Sequence, residues 1–135
     1  MLENREIMMK MFPDLFHSNR VQRVDDYPTR LLQTLMGLAP KKCDSSIPTV
    51  VLLTPGHLNS AYYEHTFLSD QMGIEMVEAS DLYVENDLVY MKTVDGPKKV
   101  DVIYRRIDDD YIDPLFYNAD SVIGVPGIIH AYRTG

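Results

Sequence analysis

Arg105 and Arg106 end an aliphatic run, VDVIYRR, and are followed, after Ile107, by Asp108, Asp109 and Asp110, then by Asp113. Two guanidiniums at a strand end can clamp a carboxylate or phosphate through paired N–H donors, with the neighbouring acids holding the forks in place. The same residues also read as a solvated strand end, whose local ion pairs contribute only ~0–1 kcal/mol each. Composition does not separate these readings. The aspartate run alone suggests calcium, but it lacks the glycine and the closing glutamate of an EF-hand loop.

A second polar stretch, TPGHLNSAYYEH (residues 54–65), leads from the carboxyl end of a strand into a helix. In open α/β sheets that edge is where ligands bind, and N–H groups at a helix start can hold an anion. Thr54-Pro55-Gly56 is neither GxGxxG nor a phosphate-binding P-loop, so a tight turn with a helix cap is the competing account. His57, Glu64 and His65 raise the question of a metal. Glu64 and His65 are adjacent, however, and project about 100° apart on a helix, unlike the two histidines of HExxH. Polar side chains solvated at the surface are the better account of all three. The third stretch, SVIGVPGIIHAYRTG, ends on an unterminated helical run carrying Arg133, an odd place for a natural C-terminus.

These stretches need elements to position them. Leu2, Ile7, Met8, Met11 and Phe12 are expected to form one apolar face of a helix stopped by Pro13, followed by a linking stretch, 14–23, without a clear period. Asp25 or Asp26 can cap the next helix, with Pro28 in its first turn and Leu31, Leu32, Leu35 and Met36 on its buried face. KKCDSSIP reads as a loop. Val50–Leu53, ended by Pro55-Gly56, predicts a strand buried on both faces. A helix capped by Asn59 or Ser60, containing Tyr63, Phe67, Leu68 and Met72 and stopping at Gly73, leads to a parallel neighbour over Ile74–Val77. Strands over 82–84, 88–93 and 100–104, with turns at 85–87 and 95–97, then predict a β-meander. One short helix is expected near Ile128–Tyr132. The fold expected is α/β: a Rossmann-like βαβ core with an appended β-meander and flanking helices. An N-terminal helical segment over 1–40 and an α/β domain over 41–135 would form one compact unit.

The bulk properties exclude some functions. The 135 residues carry 20 acidic and 13 basic side chains, a net charge of −7. Nucleic-acid backbones and anionic lipid both call for a basic surface, so neither is an expected partner. Cys43, the single cysteine, excludes an intrachain disulfide and has no nearby His or second Cys with which to build a catalytic site. No apolar run approaches the ~18 residues of a membrane span, and the start lacks a signal peptide's apolar core. A cytoplasmic location is expected by default.

Taken together, TPGHLNSAYYEHTFLSDQMGIEMVEASDL, VYMKTVDGPKKVDVIYRRIDDDYIDPL and SVIGVPGIIHAYRTG resemble the central part of the circularly permuted ATP-grasp proteins, loosely related to glutathionylspermidine synthases. MLENREIMMKMFPDLF and VQRVDDYPTRLLQTL resemble the region just upstream, leaving a gap around Lys41–Ser46. The resemblance implies a carboxylate–amine ligase working through an acyl phosphate made from ATP with magnesium. Family motifs for magnesium and nucleotide would lie before Met1 and beyond Gly135, so ATP and magnesium are implied for a longer parent and no cofactor for this segment, which would be inactive alone. The rest of that parent chain is the implied partner, with a helix-rich partner protein beside it. Asn59, Tyr62, Glu64, His65, Arg105, Arg106, Asp108 and Asp109 match the family's motifs and are the candidate substrate-binding residues; no metal ligand is expected among them. The alternative is a non-catalytic small-ligand, protein-binding or scaffold domain.

Overall fold

The computed structural model of the chain describes residues 2–41, 43 and 46–135. Along the chain come α1 (Leu2–Met11), α2 (Pro13–Ser18), α3 (Tyr27–Gly37), β1 (Val50–Leu53), α4 (Tyr62–Met72), β2 (Glu75–Val77), β3 (Leu82–Glu85), β4 (Leu88–Thr93), β5 (Gly96–Val100), β6 (Val102–Arg105) and α5 (Ile128–Thr134). The result is a mixed α/β structure with two three-stranded sheets: a parallel one in the order β2-β1-β6 and an antiparallel one in the order β3-β4-β5. The loop expected over KKCDSSIP falls partly on Lys42, Asp44 and Ser45, outside the described residues.

All four β1 side chains are buried, as their uninterrupted aliphatic run requires. Alternation sends Val51 and Leu53 into one core, with Val77, Leu82, Met91, Val100, Ile112 and Val125. Val50 and Leu52 enter a second core, with Leu35, Leu68, Met72 and Val102. The parallel sheet is thus a middle layer. Helices α3 and α4 cover one face, and the antiparallel sheet with the C-terminal segment covers the other.

The two aliphatic runs flanking α4 are parallel neighbours, as expected, with Val51 opposite Glu75 and Leu53 opposite Val77. Helix α4 stops at Gly73, whose φ of 66° permits the left-handed turn that returns Ile74 N–H to the Ser69 carbonyl at 3.2 Å. Its start differs from expectation. Ala61 holds the cap position, and neither Asn59 nor Ser60 caps the helix. The Asn59 Oδ1 instead accepts the Ala61 N–H at 2.8 Å, turning the chain before the helix begins. Asp26 sits at the cap position of α3 with helical backbone angles, and its carboxylate pairs with Arg30 at 2.7 Å rather than capping.

Helix α1 forms, but on a different face. Ile7, Met8, Met11 and Phe12 are exposed, while Leu2, Arg5, Glu6 and Met9, spaced i, i+3, i+4, i+7, turn toward α3 and α4. On the same helix Leu2 packs against the second core, and the Tyr63 hydroxyl donates to Glu3 at 3.1 Å at the exposed rim. Pro13 both stops α1 and opens α2 in the unassigned stretch, because a proline in the first turn forfeits no helical hydrogen bond.

The strand expected over 100–104 is two strands. Residues 96–100 pair with β4 and residues 102–105 with β1. Asp101 makes the transfer: its carboxylate accepts the Thr49 N–H at 2.9 Å, lies 3.4 Å from Lys99 Nζ, and its own N–H donates to the Thr49 carbonyl at 3.0 Å. The turn after β4 is Val94-Asp95, with Gly96 and Pro97 already in β5. The turn before β4 is Asn86-Asp87, both at positive φ, the two-residue geometry that matches strand twist.

The C-terminal segment is held by Asp113. This residue is fully buried, and its carboxylate accepts N–H groups from Leu115 at 2.9 Å, Gly127 at 3.1 Å and Ile129 at 3.0 Å. It does not join the arginines. Gly124 packs where a Cβ would overlap the Tyr111 and Ile112 backbone, which lets Val125 N–H reach the Ile112 carbonyl at 2.8 Å. Removing the Asp113 carboxylate strands three backbone donors, so Asp113→Ala should cost on the order of 3 kcal/mol. Asp113→Asn, which keeps one accepting oxygen, should cost less. Urea unfolding of both variants checks this; an Asp113→Ala midpoint equal to that of the unsubstituted chain would refute the role.

Candidate functional site

The parallel sheet changes direction of growth at β1: β2 follows on one side and β6 returns on the other. In open α/β sheets a crevice outside the carboxyl ends of the strands opens at such a point. Two backbone bonds carry the sheet pattern past the strand ends here. Thr54 N–H donates to the Val77 carbonyl at 2.9 Å, and Arg106 N–H donates to the Leu53 carbonyl at 2.8 Å. The first row beyond the strands is therefore Glu78, Thr54 and Arg106, in continuation of the registers Leu53 with Val77 and Leu53 with Arg105.

The two arginines part company, as a period of two requires. Arg105 is exposed, pairs with Asp109 and donates to the Ile107 carbonyl at 2.8 Å. Arg106 is half-buried on the α4 face, 5.9 Å from the centre of the Tyr104 ring, with Nη1 3.4 Å from the Tyr104 hydroxyl. Of the acids expected to steady them, Asp109 does so. Asp108 is exposed at the start of the 3-10 turn Asp109–Tyr111, and Asp113 serves the C-terminal segment.

His65 is buried, against the surface placement expected for it. Leu68, Ser69 and Met72 share the inward side of α4, and His65 lies one turn before them. Its Nδ1 shares a 2.9 Å hydrogen bond with the Thr54 hydroxyl, which also accepts the Gly56 N–H at 3.4 Å. Burial, and then the Arg106 guanidinium nearby, push its pKa down, with Glu64 pulling weakly the other way. The ring is thus a neutral post between helix and strand. Glu64 is exposed, Tyr62 is half-buried in the first turn of α4, and Asn59 shapes the approach to it. His65 and Arg106 are brought together over Thr54. Asn59, Tyr62 and Glu64 belong to the connection from β1 to α4, and Arg105 with Asp109 lies on the opposite face of β6.

The sequence singled out Thr54 and Gly56 only as part of the polar stretch 54–65, not as candidate residues, and did not single out Glu78. Gly56 takes a φ of 101°, and a Cβ there would come within 3.1–3.3 Å of the Glu78 carboxylate. The signal for Glu78 was its position directly after β2, at the same edge as the arginines. Among the described residues no group of three or more His, Cys, Asp or Glu is arranged to hold a metal ion. The donor set for a magnesium–nucleotide site is not assembled here, and no chemical step is assigned to one. A cavity of about 300 Å³ lies elsewhere, between α1, α3 and α4, and its lining includes none of the eight candidate residues.

The pKa of His65 is lower in the folded chain than its ordinary 6.5, so below that pH the unfolded chain binds the proton first. The stability tied to neutral His65 is complete above pH 6.5 and is lost as pH falls toward the folded-state value. Unfolding measured at pH 7.5 and 5.5 should therefore show a loss that is smaller in His65→Gln. An equal loss in both proteins would contradict this placement.

The family model described as "A circularly permuted ATPgrasp" matches residues 1–135. An uncharacterized protein of Synechocystis is 52% identical over 134 residues, covering 99% of this chain and 27% of that protein. An uncharacterized protein of Mycobacterium tuberculosis is also 52% identical, with 99% and 24% covered. A Frankia casuarinae protein named "Putative glutamate--cysteine ligase 2-2" is 35% identical over 139 residues, with 99% and 16% covered. The chain spans about a quarter of the length of the first two relatives. With the family model matched from end to end, this chain belongs to the circularly permuted ATP-grasp family.

Proposed function

We propose that this chain is the substrate-facing α/β segment of a longer ATP-dependent carboxylate–amine ligase. The observation that carries the proposal is the gathering of Thr54, His65 and Arg106 at the carboxyl edge of the parallel sheet, where strand order switches. Arg106 is the better placed of the two cations. Its guanidinium has no carboxylate within 4.0 Å among the described residues, whereas Arg105 already holds Asp109. A neutral His65 adds no competing charge. Family membership and the Frankia relative's name support ligase chemistry, with ATP and magnesium belonging to the longer protein.

In this role Arg106 meets an anionic substrate group, and Arg105 with Asp109 forms the rim. Phosphoryl and acyl transfer depend on such positioned cations, and losing one costs on the order of 3 kcal/mol in barrier, about a hundredfold in rate. An exposed pair such as Arg105–Asp109 contributes at most ~1 kcal/mol to folding. The expected outcome is that Arg106→Ala lowers turnover of the longer protein about a hundredfold. Arg105→Ala should change the melting temperature of this chain little, and less than Arg106→Ala does. The two roles separate when melts of the chain are set beside turnover of the longer protein. If both variants melt early while turnover per folded molecule is unchanged, the arginines are structural and the proposal fails.

Calorimetry provides a second check: this chain alone should show neither micromolar Mg-ATP binding nor turnover, because its β1–α4 connection has no glycine-rich phosphate loop. A micromolar dissociation constant would contradict that reading.

A further inference from the structure

Helix α1 is apolar on the side that the described residues leave open. At about 100° per residue, Leu2, Arg5, Glu6 and Met9 gather on the face turned toward α3 and α4, and Ile7, Met8 and Met11 gather almost opposite. Phe12 and Leu15 carry the apolar surface past Pro13 into α2. These five side chains are 44 to 66% exposed, although folding ordinarily hides residues of their types. Arg5 and Glu6 meanwhile take up part of the packed side. A helix that turns charges inward and methionines outward is built to lie between two partners, of which α3 and α4 are one.

Beside the open face stands an unmatched cation. Arg5 is half-buried and lines both the cavity of about 300 Å³ between α1, α3 and α4 and an adjoining one of about 340 Å³ formed with Asn4, Met8, Phe16 and Val21. Met8 belongs to this second cavity and to the open face, so the two are continuous. Among the described residues no Asp or Glu lies within 4.0 Å of the Arg5 guanidinium. The other basic side chains around the first cavity are taken, Lys10 by Glu6 and Arg23 by Asp25, each at 2.8 Å.

The complement of this surface is an apolar ridge that carries a carboxylate. Anionic lipid does not supply that on a chain of net charge −7. A second copy would meet the stripe with the same stripe and bring a second unmatched Arg5 in place of a carboxylate. The longer protein is the better source. This chain spans 27% of the Synechocystis relative and 24% of the Mycobacterium tuberculosis relative, so most of such a protein lies outside it. A tethered element acts at high effective concentration, and a stripe of this size is enough to hold it.

Resting on the reading of this chain as one segment of a longer protein, and not on its ligase chemistry, we propose that the outer face of α1 and α2 is an intramolecular docking surface. It receives an apolar element of the longer protein whose Asp or Glu pairs with Arg5.

Methionine oxidation by dilute hydrogen peroxide, read residue by residue by mass spectrometry, tests the placement. Met8 and Met11 should oxidise readily in this chain and about tenfold more slowly in the longer protein. Met72 and Met91, buried in the two cores, should stay slow in both. Equal rates for Met8 and Met11 in the two proteins overturn the proposal and leave the face to solvent or to a separate protein. Protection that appears in this chain alone as its concentration is raised also overturns it, by making a second copy the occupant. In the longer protein, Met11→Lys should restore rapid oxidation of Met8, and Arg5→Gln should do so in part. This chain carrying Met11→Lys should melt as the unsubstituted chain does. A lowered melting temperature there would make the face part of this chain's own core, and continued protection of Met8 in both variants would show that stripe and cation do not hold the element; either result defeats the proposal. Turnover of the longer protein keeps the two readings apart: protected Met8 and Met11 without ligase activity remove the ligase reading and leave the docking surface standing.

Discussion

Burial of β1 on both faces is the constraint on which the rest of the structure depends. Its four side chains are between 0 and 7% exposed, and each fully buried Val or Leu contributes about 1.5–3 kcal/mol. Among the described residues no other strand is buried at every position. Both of its edges are also paired, by β2 and by β6. A strand so enclosed meets solvent only beyond its ends; Thr54 is itself buried, and the chain first becomes exposed in the turn at residues 57–60.

The layers on either side do different work. On the α4 face, His65 hydrogen-bonds Thr54 and brings the first helical turn over the strand end. On the other face, Asp113 and Gly124 hold the C-terminal segment against the core, so that Arg105 and the aspartates after it emerge from a fixed base. Asp101 links the two sheets by turning one continuous extended segment from an antiparallel partner to a parallel one. Without that transfer β6 would not lie beside β1, and Arg106 would not stand in register with Thr54.

Much of this was legible in the residues where local pattern and burial agree. The aliphatic run of β1, the stop at Gly73 and the face of α3 follow from hydrophobic period and turn chemistry alone. Side chains whose partners lie far along the chain were less readable. Asp113 looks like one more acid in an acidic run, and only the return of residues 127–129 shows that it accepts backbone N–H groups. His65 looks like helix surface until Thr54 is seen beneath it. The face of α1 was misjudged because Ile7, Met8 and Met11 are more apolar than Arg5 and Glu6, yet it is Leu2, Arg5, Glu6 and Met9 that face the other helices. Glu78 was missed because no motif marks it; what marks it is its row.

The central claim is that the carboxyl edge of the parallel sheet faces the reaction. It is tested most directly by a crystal structure of the longer protein with magnesium and a non-hydrolysable ATP analogue. The account predicts that the γ-phosphate faces the edge formed by residues 54–57, 78 and 105–109, with Arg106 the nearest cation of this segment. A γ-phosphate directed instead at the cavity between α1, α3 and α4, or at the outer face of the antiparallel sheet, would contradict it.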